Sequence, residues 1–362
     1  VIRSATATVR VVGSLPAEGE AQVPITAPIR LTFSRAMDAA SVETAFHVEP
    51  ETPGSLVWEG RTLVFQPREA LSPATAYTLT VDASADSQRG RPLAEPYVGR
   101  FRTRAPQLLY LGRPYPEADH RQLFLAPLDG QPPRQLTDEG AGVWDYAVHP
   151  LGQSIVYSLL RADGGSDLWR MARDGTAKRL LLACPEAACL NPAWSPDGRT
   201  LAYERREIWA DGPNLDPKAG RIWLLDLERN EERSLFDYDV ALHSPLWAPV
   251  GRRLAYVSPI IPGVEVYDLE TGDLYQFGNE WGAAPAWAPG GDRLVVPELM
   301  LAGEALVVRV ARIDLGSDDV LDIRGGADFV RDVGPAWSRG GGWVALGRQF
   351  LDEERWTPGR PI

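Results

Sequence analysis

Lysine is almost absent from this sequence of 362 residues. It occurs only at positions 178 and 218, so arginine supplies nearly all of the 37 basic residues, which face 49 acidic ones for a formal net charge of -12. A protein that binds a phosphate backbone needs a basic surface. The charge balance therefore argues against binding to nucleic acid or, by bulk electrostatics, to an anionic membrane.

Long apolar runs are also missing. No stretch approaches the roughly 18 to 20 apolar residues that span a bilayer, so we expect membrane attachment only through a segment outside this chain. Val1 is neither a start methionine nor part of a signal peptide. We expect that any targeting segment has been removed from this numbering.

Cysteine is limited to Cys184 and Cys189, in the segment Ala-Cys-Pro-Glu-Ala-Ala-Cys. No further Cys or His ligand accompanies them, which argues against a zinc site. The spacing favours a local disulfide, with two free buried thiols as the alternative. Because disulfides persist in oxidising compartments, the pair predicts an extracytoplasmic protein, in the periplasm, at the cell surface or secreted.

Motifs of the common hydrolases, metalloproteases and nucleotide-binding enzymes are missing as well. The sequence has no Gly-x-Ser-x-Gly, His-Glu-x-x-His or Gly-x-x-x-x-Gly-Lys-Ser/Thr segment, and only four histidines. We therefore assign no catalytic residue, no metal and no cofactor within this chain. His243 with Asp239 is the only pair that we consider for metal binding.

The residues that are present divide into two parts of different composition. Residues 1–104 hold 11 arginines, no lysine and 11 acidic residues, so the whole net charge of -12 belongs to residues 105–362. Only Trp58 of the 12 tryptophans precedes this boundary. The asymmetry predicts two domains, 1–104 and 105–362.

The first part alternates apolar and polar residues in short runs, such as Ile29–Phe33 and Tyr77–Val81. A period of two indicates half-buried strands, here about seven in an antiparallel sandwich. The segments Thr-Phe-Ser-Arg-Ala-Met-Asp at 32–38 and Thr-Ala-Tyr-Thr-Leu-Thr-Val at 75–81 resemble the bacterial Ig-like domain of the surface-layer (SbsA) type. That resemblance implies a spacer or adhesion unit without catalytic residues.

The second part contains a repeat of the form Pro-Ala-Trp-Ser-Pro-Asp-Gly. Its four clear copies place a tryptophan at the same position, 40 to 53 residues apart, at Trp194, Trp247, Trp287 and Trp337. This spacing matches one four-stranded propeller blade per repeat. The pattern resembles the TolB-type propeller, also found in the non-catalytic propellers of prolyl-oligopeptidase relatives. We predict an all-β chain, an Ig-like sandwich followed by a propeller, in which the repeated tryptophans fill the space between blades.

The repeats also predict the number of blades. Four clear copies and a weaker one at 146–152, with partial blades at both ends, indicate at least six blades. The last stops at Arg360-Pro-Ile, where a third strand is due, so this blade is incomplete in the chain. We expect the native polypeptide to continue past Ile362.

Candidate binding residues come from the loops of one propeller face. In this fold the loops from each outer strand to the next inner strand share a face with the loops between second and third strands. Acidic and aromatic residues concentrate there, and we select Trp144, Asp145, Trp209, Asp239, His243, Glu280, Trp281 and Asp332. Such a face suits a basic peptide, a cation or a glycan; the alternative is a set of solvated loops.

These features favour a non-catalytic exported or surface-attached binding protein, in which the Ig-like domain presents the propeller to a protein, peptide or glycan partner. Two other hypotheses stay open. In the first, the chain is the N-terminal part of a hydrolase related to prolyl oligopeptidase, with a catalytic domain after residue 362. In the second, it is a structural subunit that assembles through sheet edges. The oligomeric state is not predicted.

Overall fold

The chain forms two compact units in the computed structural model. The sandwich unit comprises residues 1–110 and 125–134, and the propeller unit comprises 111–124 and 135–362. The domain boundary after Arg104 stays a prediction. The structure describes residues 8–68, 70–128, 130–209, 212–213, 220–260, 262–278, 283–302, 305–317, 319–323, 330–338, 340–352, 355–357 and 360–361.

Eight short strands between residues 11 and 103 build the two sheets of the sandwich. They are β1 (Val11–Leu15), β2 (Glu20–Val23), β3 (Ile29–Phe33), β4 (Phe46–Glu49), β5 (Gly54–Glu59), β6 (Thr62–Pro67), β7 (Ala76–Val81) and β8 (Tyr97–Thr103). One sheet has the order β1-β3-β6-β5 and the other β2-β8-β7-β4. Neighbouring strands are antiparallel except β2 and β8, which are parallel. The predicted sandwich is confirmed, with one strand more than the alternation suggested.

The sandwich core follows from the period-two pattern. Ile29, Leu31 and Phe33 alternate with more exposed neighbours and are buried in one apolar cluster with side chains from both sheets. The helix α1 (Ala39–Ala45) is capped by Asp38, whose carboxylate accepts a hydrogen bond from Ser41 N at 2.9 Å. No helix among the described residues is long and apolar enough to cross a membrane.

The described strands between residues 107 and 361 group into six successive blades. Three strands come first, β9 (Gln107–Gly112), β10 (Gln122–Pro127) and β11 (Arg134–Gln135). The second blade contains β12 (Val143–Val148), β13 (Ser154–Leu160), β14 (Ser166–Ala172) and β15 (Arg179–Leu182); the third contains β16 (Ala187–Trp194), β17 (Thr200–Trp209), β18 (Gly212–Pro213), β19 (Gly220–Asp226) and β20 (Glu231–Ser234).

The remaining blades repeat this plan. The fourth contains β21 (His243–Trp247), β22 (Arg253–Ser258), β23 (Gly263–Asp268) and β24 (Leu274–Gly278); the fifth contains β25 (Ala286–Trp287), β26 (Arg293–Ala302), β27 (Ala305–Asp314) and β28 (Asp319–Asp322); the sixth contains β29 (Val330–Trp337), β30 (Val344–Asp352), β31 (Arg355–Trp356) and β32 (Arg360–Pro361). Consecutive strands pair antiparallel, β18 and β31 being short hairpin extensions of β17 and β30. In the sixth blade β32 pairs with β30 as the third strand. The prediction of a β-propeller is confirmed.

Glycine closes the turn between the first and second strand of the second to sixth blades. Gly198 has a φ of +70°, and its N–H donates to Ser195 O at 2.9 Å. Gly152, Gly251, Gly291 and Gly341 occupy the same position with φ between +61° and +75°. A residue with a Cβ is strained in this conformation, which explains why glycine ends every copy of the repeat.

The repeat tryptophans lie at the seams between neighbouring blades. Trp287 Nε1 donates to Leu246 O at 3.0 Å, and Trp337 Nε1 donates to Ala286 O at 3.2 Å. Trp194 makes the equivalent bond to the second blade, at 3.4 Å. The fourth tryptophan, Trp247, is buried among residues of the third and fourth blades.

Candidate functional site

The inner strands of the propeller blades are bulged at one equivalent position. Asn191 and Ser244 have φ values of +50° and +53°, and the strand register shifts at both. Asp145, a predicted binding residue, occupies the matching position in β12, where the register also shifts. Bulges re-aim side chains and backbone groups, so this position controls which polar groups meet between blades.

A cavity of about 520 Å³ lies between the second and third blades. It opens where the inner strands begin, which is the face selected from the loops. Most of its walls are apolar, and the predicted residue Trp144 contributes a side chain that is 43% exposed. The volume falls in the range of ligand pockets. The lining residues are Ala141, Trp144, Leu160, Arg161, Gly164, Ala188, Leu190, Arg206, Glu207 and Ile208.

One wall of the cavity is held by Arg161 and by a disulfide. Cys184 and Cys189 are bonded to each other, as the sequence predicts. Arg161 Nη1 donates to Asp167 at 2.6 Å and to Cys184 O at 3.0 Å, while its Nη2 donates to Ala187 O at 3.1 Å. Asp167 also accepts a hydrogen bond from Cys184 N at 2.8 Å. This network fixes the chain that enters the third blade.

Two carboxylates meet at Asn191, beside the cavity. The backbone N–H of Asn191 donates to Asp145 Oδ2 at 2.6 Å, and its side-chain Nδ2 donates to Glu204 Oε2 at 2.7 Å. The other oxygen, Asp145 Oδ1, is buried, and the Ser158 hydroxyl interacts with the same carboxylate. The bulge thus places two acidic groups next to each other at the seam between the second and third blades.

Glu204 is the centre of this cluster. It is completely buried, forms an ion pair with Arg206 and accepts a hydrogen bond from Ser244 N of the fourth blade at 3.3 Å. A Cβ on Gly220 would lie 2.7 Å from Glu204 Oε1, so only glycine leaves room for the carboxylate. Burying a charged pair costs desolvation energy that the attraction seldom exceeds, so the pair indicates positioning rather than stability.

The cluster shifts the titration of its members. Removal from water raises the pKa of Asp145 to about 7, against hydrogen bonding with the Ser158 hydroxyl and with Asn191 N–H, and the Glu204 charge raises it further. Burial lowers the pKa of His243, opposed by Glu204 and helped by Arg206. Near neutral pH, Asp145 therefore exchanges between its protonated and ionised forms.

The other predicted residues lie apart from the cavity lining. Asp239 is exposed and pairs with Arg221 at 2.7 Å, whereas His243 Nδ1 lies 3.0 Å from Ser244 Oγ. Asp332 is fully buried in the sixth blade and accepts two bonds of 2.7 Å from Arg348. In the described part of the chain no group of three or more His, Cys, Asp or Glu residues could hold a metal ion.

For three of the predicted binding residues, Trp209, Glu280 and Trp281, the structure describes no side-chain contacts. Trp209 ends β17, and its backbone pairs with Gly212 in the short hairpin. Glu280 and Trp281 lie outside the described residues.

Sequence reasoning missed Arg161, Glu204 and Arg206. One signal was available, because the run Glu-Arg-Arg at 204–206 places three consecutive charges inside a strand whose earlier residues, Leu201 to Tyr203, are all apolar. Consecutive residues of a strand point to opposite faces of the sheet, so three consecutive charges in a buried strand place charged side chains on both faces. Buried charges of this kind require charged or hydrogen-bonding partners inside the protein. That reasoning would have indicated a polar cluster, though not its connection to Asp145.

Comparison with known proteins assigns the first unit to a family and the second to a fold. Residues 5–103 match the bacterial Ig-like domain family. The crystal structure of TolB from Acinetobacter baumannii superposes with a TM-score of 0.52 and 14% identity, covering 88% of this chain and 80% of that one. At this identity the likeness shows the fold, a TolB-type propeller, and both resemblances noted in the sequence are confirmed.

Two further comparisons involve proteins named as hydrolases. A puromycin hydrolase structure superposes with a TM-score of 0.51 and 14% identity, covering 92% of this chain and 50% of that one. The uncharacterized peptidase YuxL of Bacillus subtilis (strain 168) is 29% identical over 85 residues, which are 24% of this chain and 12% of that protein. The chain therefore spans a small part of this relative's length.

Proposed function

We propose that this protein is an extracytoplasmic binding protein whose propeller captures a peptide segment of a protein partner in the cavity between the second and third blades. The observation that carries the proposal is the apolar cavity with a partly exposed Trp144 at the face where the inner strands begin. A rigid aromatic beside an apolar pocket is typical of the residues that dominate protein interfaces.

The compartment and the role of the sandwich unit support this proposal. A disulfide persists where the surroundings are oxidising, and Cys184 and Cys189 are bonded. The bacterial Ig-like domain at residues 5–103 suits a spacer. Because the sequence lacks the nucleophile and metal motifs of hydrolases, the proposal assigns no chemical step to this chain.

Selection of peptides on the intact chain tests the proposal. A random dodecapeptide phage library is panned on the immobilised protein, and the affinities of selected peptides are measured by fluorescence anisotropy. We expect Trp144→Ala to weaken their binding about tenfold or more. Trp343→Ala is the matched control, because Trp343 is 81% exposed and lies in a turn at the opposite end of its blade.

Two outcomes contradict the proposal. One is a selection that yields no peptide bound above background, and the other is equal binding to the wild type and to Trp144→Ala. Circular dichroism of both variants confirms that any loss of affinity reflects the cavity and not unfolding.

A second candidate function rests on the peptidase name of the Bacillus subtilis relative. In this alternative the chain is the propeller portion of a larger hydrolase, and the cavity face admits substrate to a catalytic domain. The full-length gene product decides between the two. Hydrolysis of peptide p-nitroanilides by that product, and not by residues 1–362, favours the hydrolase.

A further inference from the structure

The cavity contains two arginines in different states. All three nitrogens of Arg161 donate within the protein: Nε donates to Asp163 at 3.2 Å, Nη1 donates to Asp167 and to the carbonyl of Cys184, and Nη2 donates to the carbonyl of Ala187. Among the described residues one N–H of Nη2 is left without a partner, which is too few for the paired hydrogen bonds that a carboxylate takes from a guanidinium. Arg161 therefore stabilises the cavity wall formed by the chain around Cys184 and Ala187.

Arg206 is bound on one side only. Its Nε pairs with Glu204, and its two terminal nitrogens have no partner among the described residues. The side chain is 17% exposed and lines the cavity. A guanidinium presents its nitrogens as a planar fork that matches the two oxygens of a carboxylate.

Buried neighbours fix the direction of this fork. Glu204 is fully buried and receives hydrogen bonds from Asn191 Nδ2 at 2.7 Å and Ser244 N at 3.3 Å. Its remaining oxygen holds Arg206 Nε. The cation is therefore oriented before any ligand arrives, which lowers the entropy cost of binding.

The surroundings of Arg206 limit the ligand further. Leu160, Leu190 and Ile208 supply apolar surface in the same cavity, together with Trp144. A lone anion would leave this surface exposed to water, and an apolar group alone would leave the guanidinium desolvated and unpaired. A carboxylate that carries an apolar side chain on its α-carbon satisfies both.

We propose that the cavity binds the C-terminal residue of a partner peptide, with its α-carboxylate on Arg206 and an apolar side chain against Leu190 and Ile208. This inference rests on the proposed function and specifies its ligand. The exposed Glu207 lines the cavity as well. In this proposal its carboxylate accepts a hydrogen bond from a backbone N–H of the peptide, a donor that a simple carboxylate ligand lacks.

The experiment compares two peptides on the full chain by fluorescence anisotropy. Both are fluorescein-labelled hexapeptides, Gly-Ser-Gly-Ser-Ala-Leu, one with a free C-terminal carboxylate and one amidated. We expect the free acid to bind about tenfold or more tightly, as for hydrogen bonds to charged groups. We expect Arg206→Gln to abolish this difference, with Arg199→Gln, an exposed surface pair, as the matched control.

Each remaining outcome is decisive. Equal binding of acid and amide, with Trp144→Ala weakening both, overturns the carboxylate assignment and leaves the proposed function standing. Free leucine that competes as well as the peptide acid assigns the cavity to an amino acid and overturns the peptide. No binding of either hexapeptide overturns the C-terminal assignment. The proposed function itself is contradicted by either of the two outcomes named above for the phage selection. If Arg206→Gln does not fold, the acid and amide comparison on the wild type still decides.

Discussion

In the sandwich unit the described residues that are both polar and buried are Ser87 and Thr103, whereas the propeller unit buries the carboxylates of Glu204 and Asp332 along with two others. Thr103 Oγ1 donates to Ser72 O at 2.6 Å, and Ser87 Oγ accepts from Arg91 N at 3.1 Å. Both hydroxyls serve turns. The sandwich therefore needs little besides apolar burial to specify its fold.

In the propeller unit, by contrast, buried carboxylates form ion pairs with arginines. Asp332 lies directly opposite Arg348 in the pairing of β29 and β30, and Glu204 is followed two residues later by Arg206 on β17. Such pairs add little net stability compared with apolar residues of similar volume. In the propeller unit these carboxylates orient polar groups on and beside the inner strands, whereas the described residues of the sandwich unit include no buried carboxylate.

The largest test of this contrast removes one carboxylate from an ion pair in each unit. Asp332→Ala leaves the Arg348 charge buried without a partner, and we expect a loss of about 3–5 kcal/mol in the free energy of unfolding. Glu59→Ala removes a pair with Arg30 that is 55% and 38% exposed, and we expect less than about 1 kcal/mol.

Urea denaturation measures both losses. Because only Trp58 of the 12 tryptophans lies in residues 1–104, tryptophan fluorescence reports mainly on the propeller and circular dichroism on both units. If Asp332→Ala and Glu59→Ala lose similar unfolding free energy, burial does not determine how much an ion pair contributes to stability in this protein.

The second test uses pH. Burial raises the pKa of Asp145 to about 7, above the ordinary value of about 3.9 in the unfolded chain. The folded state therefore favours the protonated form. The resulting stability is fully present below about pH 4 and is lost as pH rises through 7, which amounts to about 2–3 kcal/mol between pH 5 and pH 8.

Asp145→Asn isolates this contribution. We expect the unfolding free energy of the variant, followed by tryptophan fluorescence in urea, to lack this fall between pH 5 and pH 8. Asp239→Asn, at a carboxylate that is 91% exposed, retains the wild-type dependence. If Asp145→Asn also retains it, another group governs the pH response.

Much of the architecture was predictable because it depends on local rules. Alternation gave the strands, and the turn chemistry of Pro and Gly in the repeat gave the blades. Trp144 and Asp145 were selected because loop order in a propeller follows from strand order, and their role in binding stays a prediction.

The polar cluster was not predictable, since it depends on contacts between blades. Nothing near Glu204 in the sequence indicates that Asn191 bulges toward it or that Ser244 N reaches it from the next blade. Arg161 and Arg206 look alike in the sequence. Only their partners show that, among the described residues, all three nitrogens of Arg161 are hydrogen-bonded and the two terminal nitrogens of Arg206 are not.

The smallest test compares tryptophans in the two units. Trp287 Nε1 donates to Leu246 O at 3.0 Å, whereas the buried Nε1 of Trp247 has no partner among the described residues. Trp→Phe removes similar volume at both seams, so the difference reports the hydrogen bond. We expect Trp287→Phe to lose about 1 kcal/mol more than Trp247→Phe in urea denaturation. In the sandwich, Trp58 donates only to Glu43 at 3.4 Å in an exposed position, and Trp58→Phe should lose the least of the three. Equal losses at Trp287 and Trp247 would mean that the tryptophan hydrogen bond adds nothing and that packing alone holds neighbouring blades together. The contacts between blades would then be stabilised in the same way as the apolar core of the sandwich.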